Sequence, residues 1–249
     1  MTESSQPPIS VVSDVAASAP AVSPRPAVTD PRVAPLLGKD GHLPKVPLSQ
    51  QTPESLRRRF AAAIQWTPEV RKELKFSDRV PTQAAVLVPL VVRETLTVLL
   101  TERTAHLSSH SGQVAFPGGK RDPEDVDLVA TALREAQEEI GLEARFAEVL
   151  GELPMYATGS GFQVTPVVAL IDPEAVLQPN PYEVADVFEV PLAFILDPSN
   201  HERHAYEWNG VQREWFAMPY QDGPHERYIW GATAGMLRNF YRFMLAPLN

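Results

Sequence analysis

The stretch that most constrains this chain runs from Phe116 to Leu142, FPGGKRDPEDVDLVATALREAQEEIGL. Within it Val126, Val129, Ala130, Leu133, Ala136 and Ile140 recur at the i, i+3, i+4, i+7 spacing of a helix with one buried face. Gly141 stops that helix, because glycine takes the left-handed conformation without a Cβ clash. Two starts are open: a cap at Asp122 with Pro123 at the first helical position, or a cap at Asp125 or Asp127. At roughly 100° per residue, Glu135, Glu138 and Glu139 fall within about a third of the circumference, nearly opposite the apolar stripe. One face packs while the other presents three carboxylates.

Those carboxylates destabilise the helix that carries them. Like charges at i,i+3 and i,i+4 repel by a few tenths of a kcal/mol per pair, and the helix dipole disfavours anions in the last turn. A divalent cation removes that repulsion, and hard oxygen donors suit magnesium or manganese. Glu135 and Glu139, four residues apart, are the expected metal ligands, with Glu138 a third ligand or the general base and Arg134 orienting a carboxylate. Gly118 and Gly119 would let backbone approach a phosphate and fix the entry to the helix. Taken alone, the glutamates would also suit a plain solvated face.

The order Gly119, five residues, Asp125, then Arg134-Glu135-Ala136-x-Glu138-Glu139-x-Gly141-Leu142 resembles the signature box of the Nudix hydrolases. The spacing from acid to arginine is one residue longer than the general pattern, and Asp stands where that pattern has Glu. Upstream, Leu99-Leu100-Thr101-Glu102-Arg103 and Gly112-Gln113-Val114-Ala115-Phe116-Pro117-Gly118-Gly119 resemble the extra motif of coenzyme A pyrophosphatases, a subfamily that tolerates the same box spacing. Thr104 and Ser108 depart from that motif where Ser or Ala, and Arg, are usual.

The resemblance implies an α/β fold, the Nudix-type α/β/α sandwich with a mixed β-sheet. It implies Mg2+ or Mn2+ as cofactor, and cleavage of CoA or its derivatives to 4′-phosphopantetheine (or its acyl form) and 3′,5′-ADP. Substrate contacts are expected at Phe116, Gly118, Gly119 and Arg103, whose guanidinium could hold a phosphate bidentately. One alternative is a Nudix hydrolase acting on ADP-ribose, dinucleotides or nucleoside triphosphates. Another is a non-catalytic Nudix-fold ligand sensor, which the presence of all three glutamates disfavours.

Charge narrows the partners. A formal net charge of −9 argues against a nucleic-acid surface, which needs clustered Lys and Arg, yet a bound cation and a few local arginines still suit a small phosphorylated substrate. There is no cysteine, so disulfides, thiolate metal sites and cysteine nucleophiles are excluded. The longest apolar stretch, Ala84 to Val92, is too short to span a bilayer, and no basic region with an apolar core marks a secretory signal. A cytoplasmic protein without a membrane partner is the expectation, and a homodimer is compatible with it.

Residues 1–50 are rich in Pro, Ser, Ala and Val and contain no aromatic residue, so a disordered arm is expected before a catalytic domain over 51–249. Thr52-Pro53-Glu54 starts a helix whose Leu56, Phe60 and Ile64 form an apolar stripe beside Arg57, Arg58 and Arg59, expected as a solvated face. Strands are expected over Ala84–Val92, Leu96–Thr101, Ala147–Leu153, Gln163–Ile171 and Val184–Val190, and a closing helix over Ala232–Met244. Asn209-Gly210 predicts a hairpin between His204–Trp208 and Val211–Phe216, with Tyr206, Trp208 and Trp215 in cross-strand packing or stacked on an adenine ring. His106 and His110 are expected to be solvated, and Glu183, Asp186 and Glu189 are candidates for a carboxylate outside the box.

Overall fold

The computed structural model describes residues 30–62, 64–75, 80–104, 112–208 and 211–248. The first 29 residues, His106, Ser108, His110 and the Asn209-Gly210 pair lie outside the described residues. The first half runs β1 (Leu36–Lys39), α1 (Pro53–Ala61), β2 (Thr82–Val92), β3 (Leu96–Arg103), β4 (Val114–Ala115), β5 (Gly118–Lys120) and α2 (Leu128–Ile140). The second half runs β6 (Ala147–Glu152), β7 (Tyr156–Ala157), β8 (Phe162–Ile171), β9 (Val184–Pro191), α3 (Leu192–Ile195), β10 (Glu202–Trp208), β11 (Val211–Asp222), β12 (His225–Trp230) and α4 (Gly231–Leu245).

The larger sheet is ordered β4-β3-β2-β8-β6, with β5 joining β2, β7 joining β8 and β9 joining β3. β2 and β8 run parallel from Thr82↔Phe162 to Val91↔Ile171, and the other pairings are antiparallel, so the sheet is mixed. Strand alternation then decides which helix each residue meets. Ala85, Leu87 and Val91 of β2 pack with Ala132, Ala136 and Ile140 of α2, while Ala84, Val88 and Leu90 share a core with Leu56 of α1 and Leu237, Phe240 and Met244 of α4. Helices therefore cover both faces, which is the expected α/β/α arrangement.

Two sequence expectations needed tertiary partners to correct them. The arm taken to be unstructured to residue 50 is ordered from Asp30: β1 pairs antiparallel with β10, and Val46 is buried. Tyr241 Oη donates to the Pro44 carbonyl at 2.7 Å, so a proline-rich segment without many donors is held through its acceptors. The basic triplet is also divided, because Arg59 is buried and donates to the carbonyls of Phe243 and Ala246, both at 2.8 Å. Arg57 stays on the surface with Glu148.

The expected hairpin is present as the β10–β11 ladder, closing at Trp208↔Val211. It belongs to a second, four-stranded sheet, β1-β10-β11-β12, on which α4 packs. Trp215 stacks on His204 at 6.1 Å and meets Trp230 edge-on at 6.2 Å, which is cross-strand packing.

Candidate active site

α2 begins two residues later than its apolar pattern. Asp127 caps it by accepting from the Ala130 amide at 2.7 Å, and Val126 is left outside the helix, 83% exposed. Asp125 is instead buried beneath that first turn, where Arg134 reaches it through Nε and Nη2, both at 3.0 Å. Thr131 Oγ1 and the Asp122 amide add donors at 2.9 Å each. With that many donors, led by the Arg134 guanidinium, the Asp125 carboxyl is held far below the usual carboxylate range.

The C-terminal end closes as the sequence predicts. Gly141 sits at φ 70°, its amide bonded to Gln137 O and the Leu142 amide to Ala136 O, which satisfies carbonyls that would otherwise be orphaned. The amides of Gln178 and Asn180 bond the carbonyls of Ile140 and Glu139, both at 2.8 Å, so the returning chain continues the capping.

Between these ends the three glutamates do not share one solvated face. α2 lies against β2 and β5, and β5 is the glycine pair itself, so the residues facing it are drawn inward. Glu139 is 5% exposed, its Oε2 accepting from the Gly118 amide at 3.1 Å and its Oε1 3.6 Å from Arg103 Nη1. Glu135 is half-buried, 3.0 Å from Arg134 Nη2. Glu138 is the exposed member, with a side chain 58% accessible and paired to Arg134 Nη1 at 3.0 Å. The expectation of three acids opposite the apolar stripe is corrected to a gradient from buried Glu139 to solvated Glu138.

This packing requires Gly118, and at Gly119 a side chain would displace the Glu135 carboxylate. A Cβ on Gly119 would sit 2.5 Å from the Glu135 carboxylate, and one on Gly118 would sit 2.4 Å from the Ala85 carbonyl. Phe116, expected against substrate, is buried in the core with Val114 and Leu100, so its ring supports the loop from behind.

Burial governs the charge state. Desolvation pushes the Glu139 carboxyl up to about 7, against the Gly118 amide and Arg103, with Glu135 and Glu183 raising it further. Glu135 is also raised by burial, partly offset by Arg134. Of the acids outside the box, Glu183 is thus the one whose charge bears on Glu139. Asp186 is bonded to Arg227, and Glu189 to Arg93 and Thr97.

A divalent cation fits this donor set at two carboxylates. Glu139 is a buried acid with no guanidinium in hydrogen-bonding contact, Glu135 borders the same glycine cradle, and both are oxygen donors that suit a hard cation. Among the described residues no group of three acidic or histidine side chains stands close enough to hold an ion, and Arg134 is paired with both Glu135 and Glu138.

A family model for the NUDIX domain matches residues 81–216. The uncharacterized Nudix hydrolase NudL of Yersinia enterocolitica is 44% identical over 155 residues, covering 62% of this chain and 77% of that protein. Its Yersinia pestis namesake is 41% identical over 157 residues, covering 63% and 77%. Among solved structures, a Caenorhabditis elegans Ap4A hydrolase binary complex aligns at 22% identity over 47% of this chain and 85% of that chain, with a TM-score of 0.39.

Proposed function

Because the chain belongs to the Nudix domain family, whose hydrolases act on pyrophosphate bonds, we propose that it hydrolyses the diphosphate linkage of coenzyme A or its derivatives. The observation that carries the hydrolytic reading is the buried, incompletely compensated carboxylate of Glu139 against the Gly118 amide. The CoA assignment is supported by the upstream motif that ends at Arg103 and Gly119. Thr104, one of its departures, is buried with its hydroxyl donating to the Tyr182 carbonyl at 3.0 Å, so the change serves local packing.

Glu135 and Glu139 would hold the cation, with Glu138 a third ligand or the base. Mg2+ or Mn2+ bound there supplies Lewis-acid polarisation of phosphoryl oxygens and a lowered pKa for water. Arg134 aligns Glu135 and, through Asp125, ties it to the start of α2. Arg103 offers a guanidinium to a substrate phosphate, its side chain a quarter exposed beside Glu139. In the reaction one water oxygen bonds to phosphorus as the anhydride P–O bond breaks, giving 4′-phosphopantetheine and 3′,5′-ADP from CoA.

The test is turnover of CoA, acetyl-CoA, ADP-ribose, NADH and diadenosine polyphosphates with magnesium or manganese. CoA or acetyl-CoA should have the highest kcat/KM of the panel. A preference for ADP-ribose or a dinucleotide would replace the CoA assignment. Micromolar binding of one member without cleavage of any would identify a ligand sensor.

A further inference from the structure

The smaller sheet sends one charged side chain into the larger one. Arg227, on β12, lies beyond the matched family region and is almost fully enclosed, its side chain 10% exposed. Its Nη1 donates to Glu102 of β3 at 2.8 Å, its Nη2 to Asp186 of β9, and its Nε to Asp222 of β11 at 3.0 Å. The guanidinium also lies over the Phe188 ring, 4.3 Å from the centroid. A planar fork with its donors fixed on three strands sets their relative position more tightly than a flexible ammonium would.

The place where it grips is the irregular point of the β3–β9 ladder. Glu102 pairs with Asp186, and the register shifts before the next pair, Arg103↔Val184. Immediately past that bulge the Thr104 amide bonds the Glu183 carbonyl at 3.0 Å, and Arg103 comes within 3.6 Å of Glu139. Bulges re-aim the side chains that follow them, and an unpinned bulge at a strand end frays. The other end of the same strand pair offers a contrast: Arg93 grips Glu189 through Nε at 3.2 Å and Nη2 at 2.7 Å, but on the surface and away from Glu139.

We propose that Arg227 is a positioning residue for the active site, pinning Glu102 and Asp186 across the bulge so that Arg103 is presented to Glu139. The C-terminal sheet is then part of the working enzyme, and Arg227 acts through Arg103 without touching substrate. The kinetic half of this inference rests on the hydrolytic reading above; the structural half does not.

Two measurements decide it. In the first, amide hydrogen exchange at Arg103 and Thr104 is compared in Arg227→Ala, Arg93→Ala and the unmodified protein. Exchange should quicken at least roughly tenfold in Arg227→Ala and stay unchanged in Arg93→Ala; equal exchange in all three overturns the clamp. In the second, kcat/KM is followed for the best substrate of the panel in a double-mutant cycle. Arg227→Ala should lose roughly tenfold, Arg93→Ala less than twofold, and Arg227→Ala with Arg103→Ala no more than Arg103→Ala alone. Losses that multiply, or an unchanged Arg227→Ala, overturn the positioning role. If Arg227→Ala does not fold, Arg227→Lys replaces it in both measurements, since it keeps the charge but not the fork. An unmodified protein that cleaves nothing refutes the hydrolytic reading, and the exchange comparison then decides the clamp unaided.

Discussion

The two ends of α2 treat a buried acid in opposite ways. Asp125, at the start, is surrounded by donors and stays ionised; Glu139, near the end, has one amide and a distant guanidinium and is pushed up to about 7. Both acids are under a tenth exposed, so burial alone does not separate them. Desolvation dominates at Glu139, where one amide and a distant guanidinium do not offset it, whereas at Asp125 the Arg134 guanidinium and the further donors outweigh it. A fully satisfied carboxylate holds structure together, whereas one left short of partners is available to a cation or a proton.

The largest effect that could break this contrast is on catalysis. Glu139→Gln should lose roughly a thousandfold or more in kcat while folding normally, since an amide oxygen can still accept from Gly118 but binds a cation poorly. Unimpaired turnover in that variant would remove the catalytic half of the comparison.

A second effect concerns the metal-free protein. Glu139 releases its proton near 4.5 when unfolded and near 7 when folded, so the folded state binds more protons between those values and stability falls as pH rises through that window. The loss is on the order of 3 kcal/mol by pH 8, and Glu139→Gln should abolish it. Thermal or urea unfolding across pH 4 to 8 in chelator measures this directly. A flat profile would mean that Glu139 is better compensated than its contacts suggest.

Asp125 should behave in the reverse sense. Its depressed pKa contributes stability that is present above the unfolded value and lost as pH falls through the folded one. Asp125→Asn should lower the melting temperature by several degrees at pH 7 and release Arg134, with a smaller catalytic loss than Glu139→Gln. A variant as stable as the parent would show that the Arg134 fork does not depend on its acid partner.

The smallest effect on stability is expected at Glu138. Its ion pair with Arg134 is exposed, so Glu138→Gln should change stability by no more than about 0.5 kcal/mol. Turnover should fall by roughly a hundredfold, between the parent and Glu139→Gln. A loss equal to that of Glu139→Gln would place both acids in the same catalytic role despite their different burial.

Much of this site is legible in the primary structure. Apolar spacing located α2, Gly141 ended it, and Arg134 with three glutamates marked the candidate site, because each depends on local geometry that a short window contains. The parallel pairing of β2 with β8 is not local and had no signal. Neither had the role of Phe116: an aromatic beside two glycines looks the same whether it faces a ligand or, as here, the core.

What the residues determined by themselves was the helix, its stop, the glycine pair and the set of acids available. Which acid is buried and which is paired with Arg134 was decided only when β5 was laid against α2. Periodicity fixes an angle around one helix axis, but desolvation and charge pairing depend on what the rest of the chain brings to that face.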